Sequence, residues 1–272
     1  MKKSIITIVA VLAVVLALTV CMAACNNNAK DVEYITQKGT LKVGVTDYEP
    51  MDFQDESGKW TGFDAELARL IGKDLGVEVE FVEIDWEQKI TELKSKKIDV
   101  IWNGMTVTDE LGKSMDFSYS YAQNYQVVVT KSANLTKYST IAKMVSEGAR
   151  VAVESGSAGE RVAKGNFDEG KIVDLQGQIK ALEEVALGTS DVAIIDYTMA
   201  ASKCGQGSFA DVAIVSGLSF DKEEFAVGIR KGSDLTEKIN ASLVKYYKDG
   251  TIENLRKQFG EDSIALIDLS NK

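Results

Sequence analysis

A chain of 272 residues with 45% hydrophobic content can bury a substantial core, as one large domain or two of ordinary size. Its formal net charge of −10 repels phosphate backbones and sets nucleic acid aside as a partner. Histidine is absent, which removes Ser-His and Cys-His nucleophile pairs and His-containing metal sites, and the sequence has no Gly-rich phosphate loop, CxxC pair or calcium loop.

The N-terminus follows its own logic. Lys2 and Lys3 precede an uncharged apolar run from Ile5 to Val20, shorter than the ~20 apolar residues of a membrane span, so residues 1–24 are expected to be a signal peptide. Removing both lysines takes the formal charge from −10 to −12, since no acidic residue precedes position 25. The run ends in Met22-Ala-Ala-Cys25, which resembles the lipobox of bacterial lipoproteins, with Met where Leu is usual. That resemblance implies acylation of Cys25 and a tether outside the cell membrane, with residues 25–35 as lipidated N-terminus and linker. Cys21, preceded by the bulky Val20, is the poorer candidate. The alternative is an ordinary signal with an incidental cysteine. The mature chain then keeps only Cys204 as a free thiol, which excludes an internal disulfide.

Leu41 to Val45 reads as a strand running into the loop Asp47-Tyr-Glu-Pro-Met-Asp-Phe53. Phe63, Leu67, Leu70, Ile71 and Leu75 recur at helical spacing until Gly76. Val77, Val79 and Phe81 alternate with Glu78 and Glu80 as a strand, Leu93 lies in a further helix, and Ile98 to Trp102 reads as a buried parallel strand. The alternation restarts with a helix at Ile141, Met144 and Val145, a strand at Arg150 to Val153 and a helix near Arg161. A helix through Ile179, Leu182 and Val185 ends at Gly188, and a strand from Val192 to Ile195 ends in Asp196. Phe225 to Arg230 is then a strand, and two amphipathic helices separated by Gly250 close the chain. This order is that of an α/β protein with a second, smaller α/β lobe.

In open parallel sheets ligands sit beyond the carboxyl ends of the strands, which singles out the loops after Val45, Trp102, Val153 and Ile195. Asp47 and Tyr48, with Trp86 from a later loop, suit a small polar molecule with an apolar or cationic part; each aromatic is equally readable as a half-buried packing residue. Gly104 admits close approach to the backbone, and the Thr106 hydroxyl donates and accepts. Ser157 with Glu160 is a capping-box pattern, and the amides of Ser157 and Ala158 are an anion site unless they serve only their helix. Asp196 binds an amine or caps the helix that follows.

Taken together, "LKVGVTDYEPMDF", "GKWTGFDAELARLIGKDLG", "IDVIWNGMTVTDE…MDFS", "VAVESGSAGE", "DVAIID", "VGIRKGSDL" and "YYKDGTIENLRKQFG" resemble, in order and spacing over residues 36–262, the solute-binding proteins of polar amino-acid ABC transporters. The resemblance implies two Rossmann-like lobes joined by two crossover strands (the type II periplasmic-binding-protein fold) near Tyr125 to Val129 and Asp221 to Phe225. Lobe 1 would be 36–126 plus 226–272, and lobe 2 127–225. It implies that the Gly104 carbonyl, Thr106 hydroxyl and Asp196 carboxylate hold an α-ammonium and that Tyr48 and Trp86 flank the side chain. Asp47 then meets a polar end, and the amides after Gly156 meet the α-carboxylate. It also implies an extracytoplasmic, lipid-anchored monomer working with membrane permease subunits, without cofactor, metal or catalytic residue; Lys59, Asp74 and Glu183 are candidate permease contacts.

The sequence departs from the family at Leu111, where a carboxylate-binding arginine follows the Glu of "TxTxER". With Glu154 also in the strand before the second-lobe loop, positive charge is expected to be scarce. Three ligand modes stay open: an amino acid held through the Ser157 helix start and Lys113, an amine or other cationic solute lacking the carboxylate, or a ligand with an apolar part against Leu111. Two other function classes are a secreted dehydratase on this scaffold, with Glu154 as acid or base, and the sensing domain of a receptor.

Overall fold

The computed structural model describes residues 30–272, so the expected signal peptide, Cys25 and its lipobox lie outside the described residues. The strands are β1 (Thr40–Val45), β2 (Phe53–Gln54), β3 (Trp60–Thr61), β4 (Glu78–Glu83), β5 (Val100–Ile101), β6 (Met115–Phe117), β7 (Ala122–Lys131), β8 (Val151–Glu154), β9 (Ile172–Leu175), β10 (Val192–Asp196), β11 (Val212–Phe225), β12 (Gly228–Arg230) and β13 (Ala265–Leu266). They form a five-stranded sheet in the order β4-β1-β5-β12-β6 and a six-stranded sheet in the order β11-β7-β10-β8-β9, with β13 against β7; β2 and β3 pair separately. In the first sheet β1 runs parallel to β4 and β5. In the second, β8 runs parallel to β9 and β10, while β7 is antiparallel to β10 and β11. The two sheets are the cores of two Rossmann-like lobes.

Local chemistry sets the boundaries. In the helix Phe63–Leu75, Phe63, Leu67, Ala68 and Ile71 are fully buried, and the Phe63, Leu67 and Ile71 side chains each contribute ~1.5–3 kcal/mol relative to exposure. Gly76 ends it at φ +72°, its amide donating to the Gly72 and Lys73 carbonyls, a conformation glycine adopts without a Cβ penalty. The helix Gln178–Leu187 ends the same way at Gly188.

Four expectations are corrected. The linker to residue 35 ends earlier, because Asp31–Lys38 is a helix: Ile35 is completely buried, the Val32 amide donates to Asp234 Oδ1 (3.0 Å), and Asp31 meets Arg230 Nε at 2.9 Å. The strand expected from Ile98 to Trp102 narrows to Val100–Ile101. The strand expected from Phe225 to Arg230 is two strands in different sheets. Phe225 ends β11, the Ala226 amide donates to the Met105 carbonyl (3.0 Å), and the chain enters the first sheet at Gly228. The β11-to-β12 passage (226–227) runs beside the β6-to-β7 passage (118–121), since Phe225 is paired with Ala122; the chain thus crosses between sheets just outside the expected Tyr125 to Val129 and Asp221 to Phe225, which lie within β7 and β11.

Candidate functional site

The carboxyl ends of β5, β8 and β10 face one cavity. Its volume is about 30 Å³, and it is lined by Trp86, Lys89, Gly104, Thr106 and Leu111 from one lobe and by Glu154, Ser157, Ala158, Arg161 and Asp196 from the other, among others. Room on this scale holds about two water molecules, so the lobes are drawn together.

On the first lobe, the loop after β5 is pinned from behind. Asn103 exchanges hydrogen bonds with Thr46, accepting from its amide (3.0 Å) and donating to its hydroxyl (2.8 Å). The Gly104 amide donates to Asp64 Oδ2 (2.7 Å), which also accepts from the Tyr121 hydroxyl (2.8 Å). Gly104 sits at φ +57°, and a Cβ there would come within 2.6 Å of the Tyr48 ring, so the turn requires glycine. Burial pushes the Asp64 carboxyl up to about 7.

On the second lobe, sheet register builds a polar row. Asp196 on β10 pairs with Gln126 on β7, and Asn124 on β7 pairs with Glu223 on β11. Asp196 Oδ1 accepts from Asn124 (2.7 Å) and from Gln126, and its Oδ2 accepts from Gln178 (2.7 Å). Its side chain makes no capping bond to the helix Tyr197–Lys203. Glu223 accepts from the Thr106 hydroxyl (3.1 Å) and Gln126 (2.9 Å) and lies 3.5 Å from Arg161. Burial raises both acids above the usual carboxylate range; amide donors oppose this at Asp196, and at Glu223 the Gln126, Thr106 and Arg161 contacts do so.

Ser157 caps the helix Ala158–Asn166, accepting from the Glu160 amide (3.1 Å), while Glu160 accepts from the Gly156 amide (2.9 Å). The expected capping box is therefore formed in its Ser157 half alone: Glu160 reaches the amide before the cap, and the Ser157 amide is spent on the Glu154 carbonyl (3.2 Å). Amides of the first turn beyond Ser157 have no intrahelical acceptor by geometry.

Seven of the nine expected solute-binding residues line the cavity: Trp86, Gly104, Thr106, Leu111, Ser157, Ala158 and Asp196. Tyr48 is 1% exposed and packs edge-on against Phe225 (6.4 Å, 88°), behind Gly104 rather than in the cavity. Asp47 lies in a separate crevice with Glu83, Lys180 and the other side of Trp86. Lys113 is not a lining residue. Of the expected permease contacts, Asp74 is held by Ser242 (2.9 Å) and Lys245 (2.8 Å), and Glu183 by Lys180 (2.9 Å).

Positive charge, expected to be scarce, is supplied by two residues the sequence reading did not single out. Lys89, only 5% exposed, lies 4.9 Å above the Trp86 ring and donates to the Trp86 carbonyl (2.9 Å) and, across the cleft, to the Gly156 carbonyl (2.8 Å). Burial pushes its ammonium down to about 8, against the pull of Glu154, Glu160 and Glu87. Arg161 is the second. Leu111 caps an apolar wall with Met105 and Met115. Glu154 is 3% exposed, and its buried Oε1 has no hydrogen-bond partner among the described residues. Burial, then the Asp196 charge, push it up to about 8, with Lys89 opposing. Further contacts clasp the cleft: Lys203 with Glu49, Gln176 with Asp85 (3.2 Å) and Ser155 with Glu87 (3.3 Å).

The model of one family, bacterial extracellular solute-binding proteins, family 3, matches residues 41–262. The L-cystine-binding protein TcyJ of Escherichia coli is 31% identical over 231 residues, covering 84% of this chain and 85% of that protein. A crystal structure of a mutant of ArgBP from T. maritima superposes with a TM-score of 0.78 at 32% identity, covering 85% of this chain and 99% of that one. A cyclohexadienyl dehydratase of Pseudomonas aeruginosa is 22% identical, covering 66% of this chain and 69% of that protein.

Proposed function

We infer that this chain, which belongs to the bacterial extracellular solute-binding proteins of family 3, captures an amino acid between its lobes and delivers it to the membrane subunits of an ABC importer. The observation that carries this reading is the convergence of Gly104, Thr106, Trp86 and Leu111 with Ser157, Ala158 and Asp196 on one cavity. The α-ammonium is met by the Gly104 carbonyl, the Thr106 hydroxyl and the Asp196 carboxylate. The α-carboxylate is met by the first turn after Ser157 and by Arg161, which does the work assigned elsewhere in the family to the arginine at the place of Leu111. Trp86 and Leu111 form the aromatic and apolar walls.

Closure is a hinge motion in the two adjacent passages, β6 to β7 and β11 to β12, with the ligand favouring the closed state through contacts that only closure completes. The Lys89–Gly156 and Lys203–Glu49 contacts join the two sides in that state. The protein is a monomer held outside the membrane by a lipid on Cys25.

The test is a thermal shift of the purified full chain with each common amino acid beside its decarboxylated amine. Ligand binding to the native state raises the melting point by mass action. A shift with an amino acid and none with its amine is expected; a shift with amines alone overturns the amino-acid reading.

A further inference from the structure

The fixed charges of the cavity are unevenly committed. Arg161 is 3.5 Å from Glu223. Lys89 spends two of its three donors on the Trp86 and Gly156 carbonyls. Asp196 is surrounded by the amides of Asn124, Gln126 and Gln178. Glu154 alone among the four lines the cavity with a buried oxygen that nothing in the described protein meets. The charged residues that line the cavity balance, Glu154 and Asp196 against Lys89 and Arg161, but Glu223 behind them lies 3.5 Å from Arg161 and draws on its charge, so the group of five carries one uncompensated negative charge when all are ionised. A zwitterionic solute with a neutral side chain leaves that charge buried, which is costly; a solute with one additional cation removes it.

We propose that Glu154 is the specificity-determining residue of this cavity and selects a solute that carries a second cationic nitrogen besides its α-ammonium, a basic amino acid by chemical class. The proposal rests on the amino-acid reading above. Glu154 stands at the end of β8, the strand paired with β10, so it shares the cavity with Asp196, Thr106 and Gly104 and is open to the end of the solute that these do not hold. The buried, partnerless oxygen is a poor structural feature, because an unmet acceptor destabilises the protein that holds it; it is accounted for if the ligand supplies the missing donor.

The experiment measures calorimetric affinities of the full chain for matched solutes of equal length: arginine with citrulline, and ornithine with norleucine. It is repeated on Glu154→Gln, which keeps shape and removes charge, and on Glu154→Asp, which keeps charge. A charge-assisted hydrogen bond lost from a buried site corresponds to roughly ten- to hundredfold in affinity. The expected result is that the cationic member of at least one pair binds at least roughly tenfold more tightly than its neutral partner. That preference collapses in Glu154→Gln and survives in Glu154→Asp. The proposal is overturned if neutral members bind as well as cationic ones, or if Glu154→Gln weakens both members alike, the mark of a structural role. Binding of neutral amino acids alone leaves the amino-acid reading intact and removes this one; binding of no amino acid removes both.

Discussion

A buried acid reserved for a ligand should penalise the ligand-free closed form, and the penalty has a predictable dependence on pH. Glu154 has an ordinary value of 4.5 and is pushed up to about 8 where burial and Asp196 surround it, with Asp85 adding and Lys89 opposing. Between these two values the closed form binds more protons than a form in which Glu154 reaches water. The closed form is therefore unpenalised below about 4.5 and loses stability as the pH rises through about 8. The whole interval is equivalent to ~4–5 kcal/mol. Lys89 acts in the opposite sense over a higher window: its ammonium, ordinarily at 10.5 and pushed down to about 8 by burial, costs the closed form least at high pH, so that contribution recovers between about 8 and 10.5. Closure without ligand should be weakest near pH 8.

The lobes need only part for Glu154 to be hydrated, so the penalty falls on closure rather than on unfolding. Small-angle scattering of the ligand-free protein from pH 5 to pH 9 reads this as a larger radius of gyration near pH 8. Asp196 and Glu223, both raised, act in the same direction as Glu154, so Glu154→Gln should reduce the pH effect rather than abolish it. At pH 8 that variant should favour the closed form over the original by at least roughly tenfold, ~1.4 kcal/mol, well under the full interval because Lys89 also loses its counter-charge. The same substitution thus tightens the empty protein and weakens its hold on a cationic solute. Scattering curves that superpose at pH 5 and pH 8, or a Glu154→Gln curve with an undiminished pH response, would refute the electrostatic account.

Two further outcomes follow from particular residues. Leu111→Arg places a guanidinium on the cavity wall: neutral amino acids should gain roughly tenfold in affinity and cationic ones lose a similar factor, with calorimetry reading the reversal. The variant should also lose ~1–3 kcal/mol of stability in urea, since Leu111 packs with Met105 and Met115. Cys25→Ser should move the protein from the membrane fraction to the medium and abolish incorporation of labelled fatty acid; unchanged membrane retention would sink the lipid tether.

The elements of the fold were legible where local chemistry determines them. Gly76 and Gly188 end their helices in the left-handed conformation that glycine favours, and the apolar positions of Phe63, Leu67 and Ile71 mark the buried face. The strand at Phe225 was misjudged because an apolar run does not disclose a change of sheet; the Ala226 amide bonded to Met105 does. The site divides along the same line. Strand-end residues such as Asp196 and Gly104 could be found by position along the chain. Gln126, Asn124 and Glu223 reach Asp196 only through the register of β7 with β10 and β11, although the amides at alternate positions 124 and 126 are a local sign that one face of strand 122–131 meets something polar.

Lys89 shows why a motif read alone misleads about charge. Leu111 removes a guanidinium from one wall, and a local reading infers an electronegative cavity with no cation to offset it. Lys89, twenty-two positions earlier in the sequence, is indistinguishable there from an exposed helix lysine. The fold buries its stem against Trp86 and carries its ammonium across the cleft to the Gly156 carbonyl. A cation on the arginine's side chain would be free to grip a carboxylate at every stage; one committed to two carbonyls contributes chiefly when the lobes meet. On the Leu111 side the positive charge has therefore shifted from gripping the solute, a task left to Arg161, to joining the lobes, and the burden of ligand selection passes to the acid beside it, Glu154.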